Sequence, residues 1–448
     1  MIAFHRGRLR EHPHGDAQLR SLKAALAAID PAKRITDQLT VADNVLHIDH
    51  LVFPLEGRRI WILSIGKASV PMARAVEDLL APKCAAGGVA VTRAGYGGPT
   101  RSLQVIEAGH PLPRTVVGAD AVIEIAKLVK PEDLVLCLLS GGGSALLACP
   151  PVGVQLSDLA HTTELLLHSG VTIDEMNTVR RHVSRLQGGQ LMSLLYPATV
   201  VTLILSDVIG DRLESIASGP TVSDPTTFSD ACSALDRVGL LDRVPSSVRA
   251  HLLSGRASEV PETPKPGDPI FENVHTLLIG NNKTAVDALA SSATSEGFEV
   301  HRHPLPLVGE ARGIGFQLAD RAREMAGQHT TKWALIAGGE TTVTLQGDGL
   351  GGRNQELALA AALRLEGVAG VSFASLATDG TDGPTDAAGA LVDGDTAALA
   401  RQQGMDPRAA LDRNDSHRAL ASTKDLLWTG PTNTNVADVV LVLGDPTA

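Results

Sequence analysis

Seven times along the chain a short apolar run stops at a polar, glycine-rich turn. The runs are 60–67 (IWILSIGK), 134–144 (LVLCLLSGGGS), 200–211 (VVTLILSDVIGD), 274–283 (VHTLLIGNNK), 333–342 (WALIAGGETT), 371–382 (VSFASLATDGTD) and 426–435 (LLWTGPTNTN). Runs this short and this continuously apolar predict strands buried on both faces. Between them, 69–80, 284–293, 313–326 and 354–364 read as helices. Buried strands alternating with helices predict an α/β protein with parallel sheets. Ligands of such sheets bind outside the carboxyl ends of the strands, where all seven turns fall.

At 448 residues the chain exceeds one ordinary domain. The segment 261–269 (PETPKPGDP) places four prolines in nine residues, which excludes helix and central strand. It predicts a boundary near 265: a tail at 1–20, a first domain at 21–265 and a second at 266–448. Hydrophobic residues make up 44%, but aromatics only 3%, so the cores must be built from Ala, Leu, Val and Ile. The net charge of −11 and the lack of a basic patch argue against nucleic acid. No apolar run approaches the ~18 residues of a membrane span. The four cysteines (Cys84, Cys137, Cys149, Cys232) form no CxxC pair, so a reduced, cytoplasmic setting is expected and cysteine-bound zinc is not. The expected partners are small molecules, with a homodimer as the candidate assembly.

The turns carry the candidate chemistry. Ser140-Gly141-Gly142-Gly143-Ser144 leaves backbone N–H groups bare ahead of a helix-like segment, an anion cradle or simply a tight turn. It is no dinucleotide fingerprint, because Leu146 stands where the third glycine is required. Lys67, at a buried strand end, can neutralise a phosphate or snorkel to the surface. Asp207 follows an apolar run directly and is a candidate base or metal ligand. Arg353, after Gly351-Gly352 at a helix start, offers a fork to phosphate or carboxylate oxygens, or pairs with Glu340 or Glu356; Glu340 is itself a substrate-site candidate. Asn177, Arg180, Arg181 and His182 fall in a helix read over 176–189; Asn177 and Arg180 are substrate-clamp candidates, and Arg181 is read as part of a solvated face. The stretch 378–390 (TDGTDGPTDAAGA) crowds Asp379, Asp382 and Asp386 on one turn. Such carboxylates suit Mg²⁺, or cap a helix. Asp379 and Asp382 are the metal candidates, and Asp386 reads as a helix-start residue. Glycine turns, a lysine, an arginine and strand-end aspartates are what phosphoryl transfer asks of a protein.

The ordered set SIGKAS, EAGHP, LLSGGGSALL, NTVRRHVS, SDVIGDRLESIASGPTVSDPTT, GGETTV, GGRNQELAL, TDGTDGPTDAAGA and TGPTNTNV resembles the class II glycerate kinases, whose C-terminal domain is called MOFRL. The resemblance runs from about Leu22 to about Leu443, with the MOFRL region at about 331–443. It implies two α/β domains around a cleft, the first Rossmann-like and the second a smaller mixed-sheet domain. It implies ATP-dependent phosphorylation of D-glycerate to 2-phosphoglycerate with Mg²⁺. By the same resemblance Lys67 and Arg353 stand nearest the transferred phosphoryl group, Asp207 assists the glycerate hydroxyl or the metal, and Ser140–Ser144 cradles substrate or phosphate. Two positions depart from the family pattern: Gln187 replaces a common lysine, and Asn433 a glycine. The alternative activity is NAD(P)H-dependent hydroxypyruvate reduction, a label often attached to similar sequences.

Overall fold

The computed structural model describes residues 4, 7–80, 85–108 and 113–446. Cys84 and the last three residues of EAGHP lie outside them. The chain folds into two compact units. One spans residues 31–279, and the other joins the N-terminal residues up to Asp30 to those from Gly280 onward.

The first unit opens with an antiparallel meander, β1 (Leu39–Ala42), β2 (Val45–Ile48) and β3 (Leu51–Pro54). Its main sheet contains β4 (Ile60–Ile65), β5 (Ala85–Arg93), β6 (Gln104–Ala108), β7 (Leu134–Ser140), β8 (Thr199–Leu205) and β9 (Val274–Gly280), in the order β6-β5-β4-β7-β8-β9. The pairings from β6 through β8 are parallel. Every residue of β4 and β7 is buried, as coverage on both faces requires. Fully burying one such Leu or Ile stabilises the fold by about 1.5–3 kcal/mol. From β4 the chain winds outward to β5 and β6, then crosses back to β7 on the other side of β4. The sheet therefore has its topological switch point between β4 and β7.

The second unit has a mixed sheet of β10 (Glu299–Arg302), β11 (Leu307–Glu310), β12 (Trp333–Thr342), β13 (Val371–Ala377), β14 (Gly389–Asp393), β15 (Leu426–Leu427) and β16 (Asp438–Gly444). The order is β10-β12-β16-β13-β14-β15, with β11 also on β12. Strand β16 runs antiparallel to both its neighbours, so β12 and β13 point the same way and β16 begins where they end. The helices Ala311–Gln328 and Arg353–Leu365 pack on each other, and their alanine-rich faces form much of this core.

Four expectations change. The segment 261–269 is no linker: Pro264 O accepts from Asp224 N (2.8 Å) and Thr263 Oγ1 donates to Asp224 (3.0 Å), so it is stitched into the first unit and the boundary falls after β9. Residues 1–20 are not all tail. The helix Gly15–Ala28 packs on Asn282–Ser295, and Gln18 Nε2 donates to Ser372 O and Leu441 O, each at 3.2 Å. Upstream, His12 bridges Asp393 (2.6 Å) and Asp425 (3.0 Å), and Arg8 reaches the same two carboxylates. The helix read over 176–189 is Ile173–His182 and ends there; Gly188 and Gly189 both take positive φ. Asp386 starts no helix, since the chain passes through a bend into β14. No helix among the described residues is long and apolar enough to cross a membrane.

Candidate active site

The switch point of the first unit gathers three of the predicted turns. In register, Ile65 lies beside Leu139, and Leu139 beside Ile204. Gly66-Lys67, Ser140–Ser144 and Ser206-Asp207 therefore leave three adjacent strand ends, about 5 Å apart from strand to strand. The first two are locked together. Lys67 N donates to Gly141 O (2.9 Å), and Ala68 N donates to Ser140 Oγ (3.0 Å). Gly66 sits at φ 125°, and a Cβ there would overlap Ser140 Oγ and its carbonyl, so the crossing tolerates only glycine. The Lys67 stem runs beside Gly142, within 3.7 Å of where a Cβ would stand. Lys67 and Asp207 are both half-buried.

The glycine turn is held from behind by Gln187, noted in the sequence only as a departure from the family pattern, and by Ser218, which the sequence did not single out. Gln187 Nε2 donates to Ser144 O (2.8 Å), and Ser218 Oγ to Ser144 Oγ (2.9 Å). Ser218 and Ala217 are both left-handed (φ 57° and 51°), a conformation costing non-glycine residues of order 1–2 kcal/mol each. Strain of this kind persists where surrounding packing dictates it: Gly143 packs so closely on Ala217 that no side chain fits between them. Thus Gln187, in place of a lysine, braces the turn instead of charging it.

The helix Ile173–His182 packs on the same Ile216–Ser218 turn. Asn177 and Arg180, three residues apart, share one helix face. The Arg180 side chain is half-buried and makes no hydrogen bond or ion pair with the described residues, and burial pushes its guanidinium pKa down. Desolvated cations without a partner are rare and mark anion sites. Arg181 is not on a solvated face. It is 4% exposed and pairs with Asp224 at 3.0 Å, with further bonds to Thr178, Thr226 and Glu214 O.

In the second unit the ends of β12 and β13 flank the start of β16. Arg353 grips Asp438 through Nε (2.6 Å) and Nη2 (3.0 Å), and reaches Glu340 through Nη1 (2.8 Å). The arginine is thus paired with Glu340, as its alternative reading allowed. Asp438 is its principal partner; Glu356 instead bonds Arg312 and Asn414. Burial opposes the Arg353 charge, but Asp438 and Glu340 outweigh it and hold the guanidinium firmly protonated. Burial likewise raises the Asp438 carboxyl, against the pull of Arg353.

Of the two readings given for this turn, metal ligand or helix cap, Asp382 shows the cap. It is 2% exposed, and its oxygens accept from Asn354 N (3.0 Å), Gln355 N (2.9 Å) and Gln355 Nε2 (3.0 Å), capping the helix Arg353–Leu365. Burial still pushes its carboxyl up to about 6. Asp379 accepts from Thr381 N (3.1 Å) in a tight turn, which is knit to the 430–437 loop through Thr432 Oγ1→Thr378 O (2.6 Å). Among the described residues Asp379 and Asp382 do not converge with a third metal-ligating group. Asn433, in that loop, takes φ 58°, so the glycine preference of the family it resembles matches a left-handed position that Asn fills at some strain. Asp438 was missed from sequence; its signal is a lone acid opening an otherwise apolar run, DVVLVLG.

Residues 333–438 match the family described as MOFRL, and 18–253 match a domain described as of unknown function. A glycerate 2-kinase of Pyrococcus horikoshii is 42% identical over 431 residues, 95% of this chain and 96% of its own. A protein of Agrobacterium vitis with the provisional name hydroxypyruvate reductase is 39% identical over 95% of this chain and 93% of its own. The crystal structure of a Thermotoga maritima glycerate kinase superposes with a TM-score of 0.83 at 39% identity, covering 96% of this chain and 99% of that one. The two α/β units and these relatives define a kinase. More narrowly, the chain belongs to the class II glycerate kinases, the family with a MOFRL C-terminal region.

Proposed function

We propose that this chain transfers the γ-phosphoryl group of ATP to the 2-hydroxyl of D-glycerate, with Mg²⁺, in the cytoplasm. The observation that carries the reading is the switch point: Lys67, the Ser140–Ser144 turn and Asp207 leave three adjacent strand ends. Loose phosphoryl-transfer transition states need positive charge and bare N–H groups around the moving oxygens, which Lys67 and the glycine turn supply. Asp207 is the carboxylate placed to orient the acceptor hydroxyl or to hold Mg²⁺, which typically uses one or two carboxylates plus substrate phosphates. Bound Mg²⁺ would neutralise the phosphate oxygens. Arg180 and Asn177 suit the glycerate carboxylate, and the pairing of Arg353 with Asp438 and Glu340 makes it a held charge whose remaining N–H groups can meet phosphate. The buried thiols Cys137, Cys149 and Cys232 accord with a reducing compartment.

ADP release should depend on both D-glycerate and Mg·ATP. Coupling directly to enolase, without a mutase, should report 2-phosphoglycerate as the product. Lys67→Ala should lower kcat about 10²–10³-fold while the KM for glycerate changes little, because the lysine's charge matters most as the phosphoryl group moves. No glycerate-dependent ADP release, or oxidation of NADH with hydroxypyruvate instead, would overturn the proposal.

A further inference from the structure

At the far end of the second unit's sheet lies a cluster that the kinase reaction does not use. Glu299 and His301 are two residues apart on β10, so their side chains leave the same face of this edge strand. His329 ends the helix Ala311–Gln328 and returns to meet them. His301 Nε2 lies 3.5 Å from Glu299 Oε1, and His329 Nδ1 lies 3.9 Å from Glu299 Oε2. The two imidazoles stand 4.8 Å apart, centroid to centroid, at 72°. All three ligating atoms fall within 4.8 Å of one another.

These separations are too long for hydrogen bonds. His301 Nε2 is nevertheless shielded from solvent and has no hydrogen-bond partner. Leaving such an atom unsatisfied is destabilising, a penalty that an ion seated between the three groups would remove. With metal–ligand bonds of about 2.0–2.1 Å, ligands on a tetrahedron stand roughly 3.4 Å apart, so small side-chain shifts would close the site.

We propose that Glu299, His301 and His329 bind a divalent transition ion, Zn²⁺ foremost, with the fourth position left to water. Two imidazoles and one carboxylate suit Zn²⁺ and disfavour Mg²⁺ or Ca²⁺, which take oxygen ligands. Glu299 pairs with Trp333 at the start of β12, whereas Glu340 lies near that strand's other end. Seven residues of strand separate them, roughly 23 Å. The ion would not touch the Arg353 cluster; it would tie the edge strand to the end of the helix Ala311–Gln328.

The test is calorimetric titration of chelator-treated protein with ZnCl₂ alone, beside thermal melts with and without the ion. One saturable Zn²⁺ per chain and a Tm raised by several degrees are expected, with no comparable rise from Mg²⁺. His301→Ala and His329→Ala should each weaken Zn²⁺ at least tenfold while leaving metal-free Tm and glycerate-kinase turnover unchanged. Co²⁺ should give the intense visible absorption of a tetrahedral site in the parent protein and lose it in both variants. No saturable Zn²⁺ binding, or binding equally tight in both variants, would overturn the proposal.

Discussion

Asp438→Asn tests how the second unit holds its arginine. The native carboxylate is 5% exposed and makes two charge-assisted bonds to Arg353, at 2.6 and 3.0 Å. Each such bond is worth about 1.5–3 kcal/mol, and breaking a buried pair from one side costs about 3–5. Two features reduce that figure. The Arg353 side chain is 32% exposed and can recover some water, and Glu340 stays on Nη1 at 2.8 Å. The expected loss is therefore about 3 kcal/mol. Urea unfolding should be followed in a Trp61→Phe background, where the remaining reporters, Trp333 and Trp428, both belong to this unit. The cycle of Asp438→Asn, Arg353→Met and the double variant should return a coupling of about 2 kcal/mol or more. A coupling under about 0.5 kcal/mol would mean that the pair is solvated in solution and that Arg353 is not braced by it.

Two further outcomes are expected. Gly66→Ala should destabilise the first unit by about 3 kcal/mol or more, or prevent soluble expression, because the new methyl would overlap Ser140 at a left-handed φ; a variant as stable as the parent would show that the crossing can open. Burial opposes protonation of His12, but Asp393 and Asp425 outweigh it and raise its pKa. A raised histidine stabilises fully below its ordinary value near 6.5, and that contribution is lost as pH rises through the folded value. Urea midpoints should therefore fall from pH 6 to 9 in the parent and fall less in His12→Gln; parallel slopes would refute the assignment.

The ends of β4, β7 and β8 were legible because buried parallel strands leave continuous apolar runs and because glycine is required where chains cross closely, as at Gly66, or where φ is positive, as at Gly142. Helix 69–80 was legible to the residue, since its apolar spacing is unbroken. What stayed hidden depends on partners distant in sequence. That Asp382 caps a helix shows only once that helix, 28 residues upstream, is folded against it. Arg181 and Arg180 are adjacent and chemically identical, and only packing buries one on Asp224 and leaves the other without a counter-charge. The N-terminal helix was missed because His12 and Gln18 find their partners more than 350 residues later.

The second unit is assembled from both ends of this sequence, and its central strand is the last of its strands to be made. During synthesis β12 and β13 leave the ribosome with no β16 to join them, and helix Gly15–Ala28 waits through the whole of 31–279 for the surface it will cover. The first unit can close while translation continues, since domains generally fold as units, N-terminal first. The second cannot close until β16 arrives. In the cell its exposed apolar sheet edges are therefore the part of this chain most in need of a chaperone, and a premature stop before Asp438 should leave a folded 31–279 unit joined to an aggregation-prone remainder.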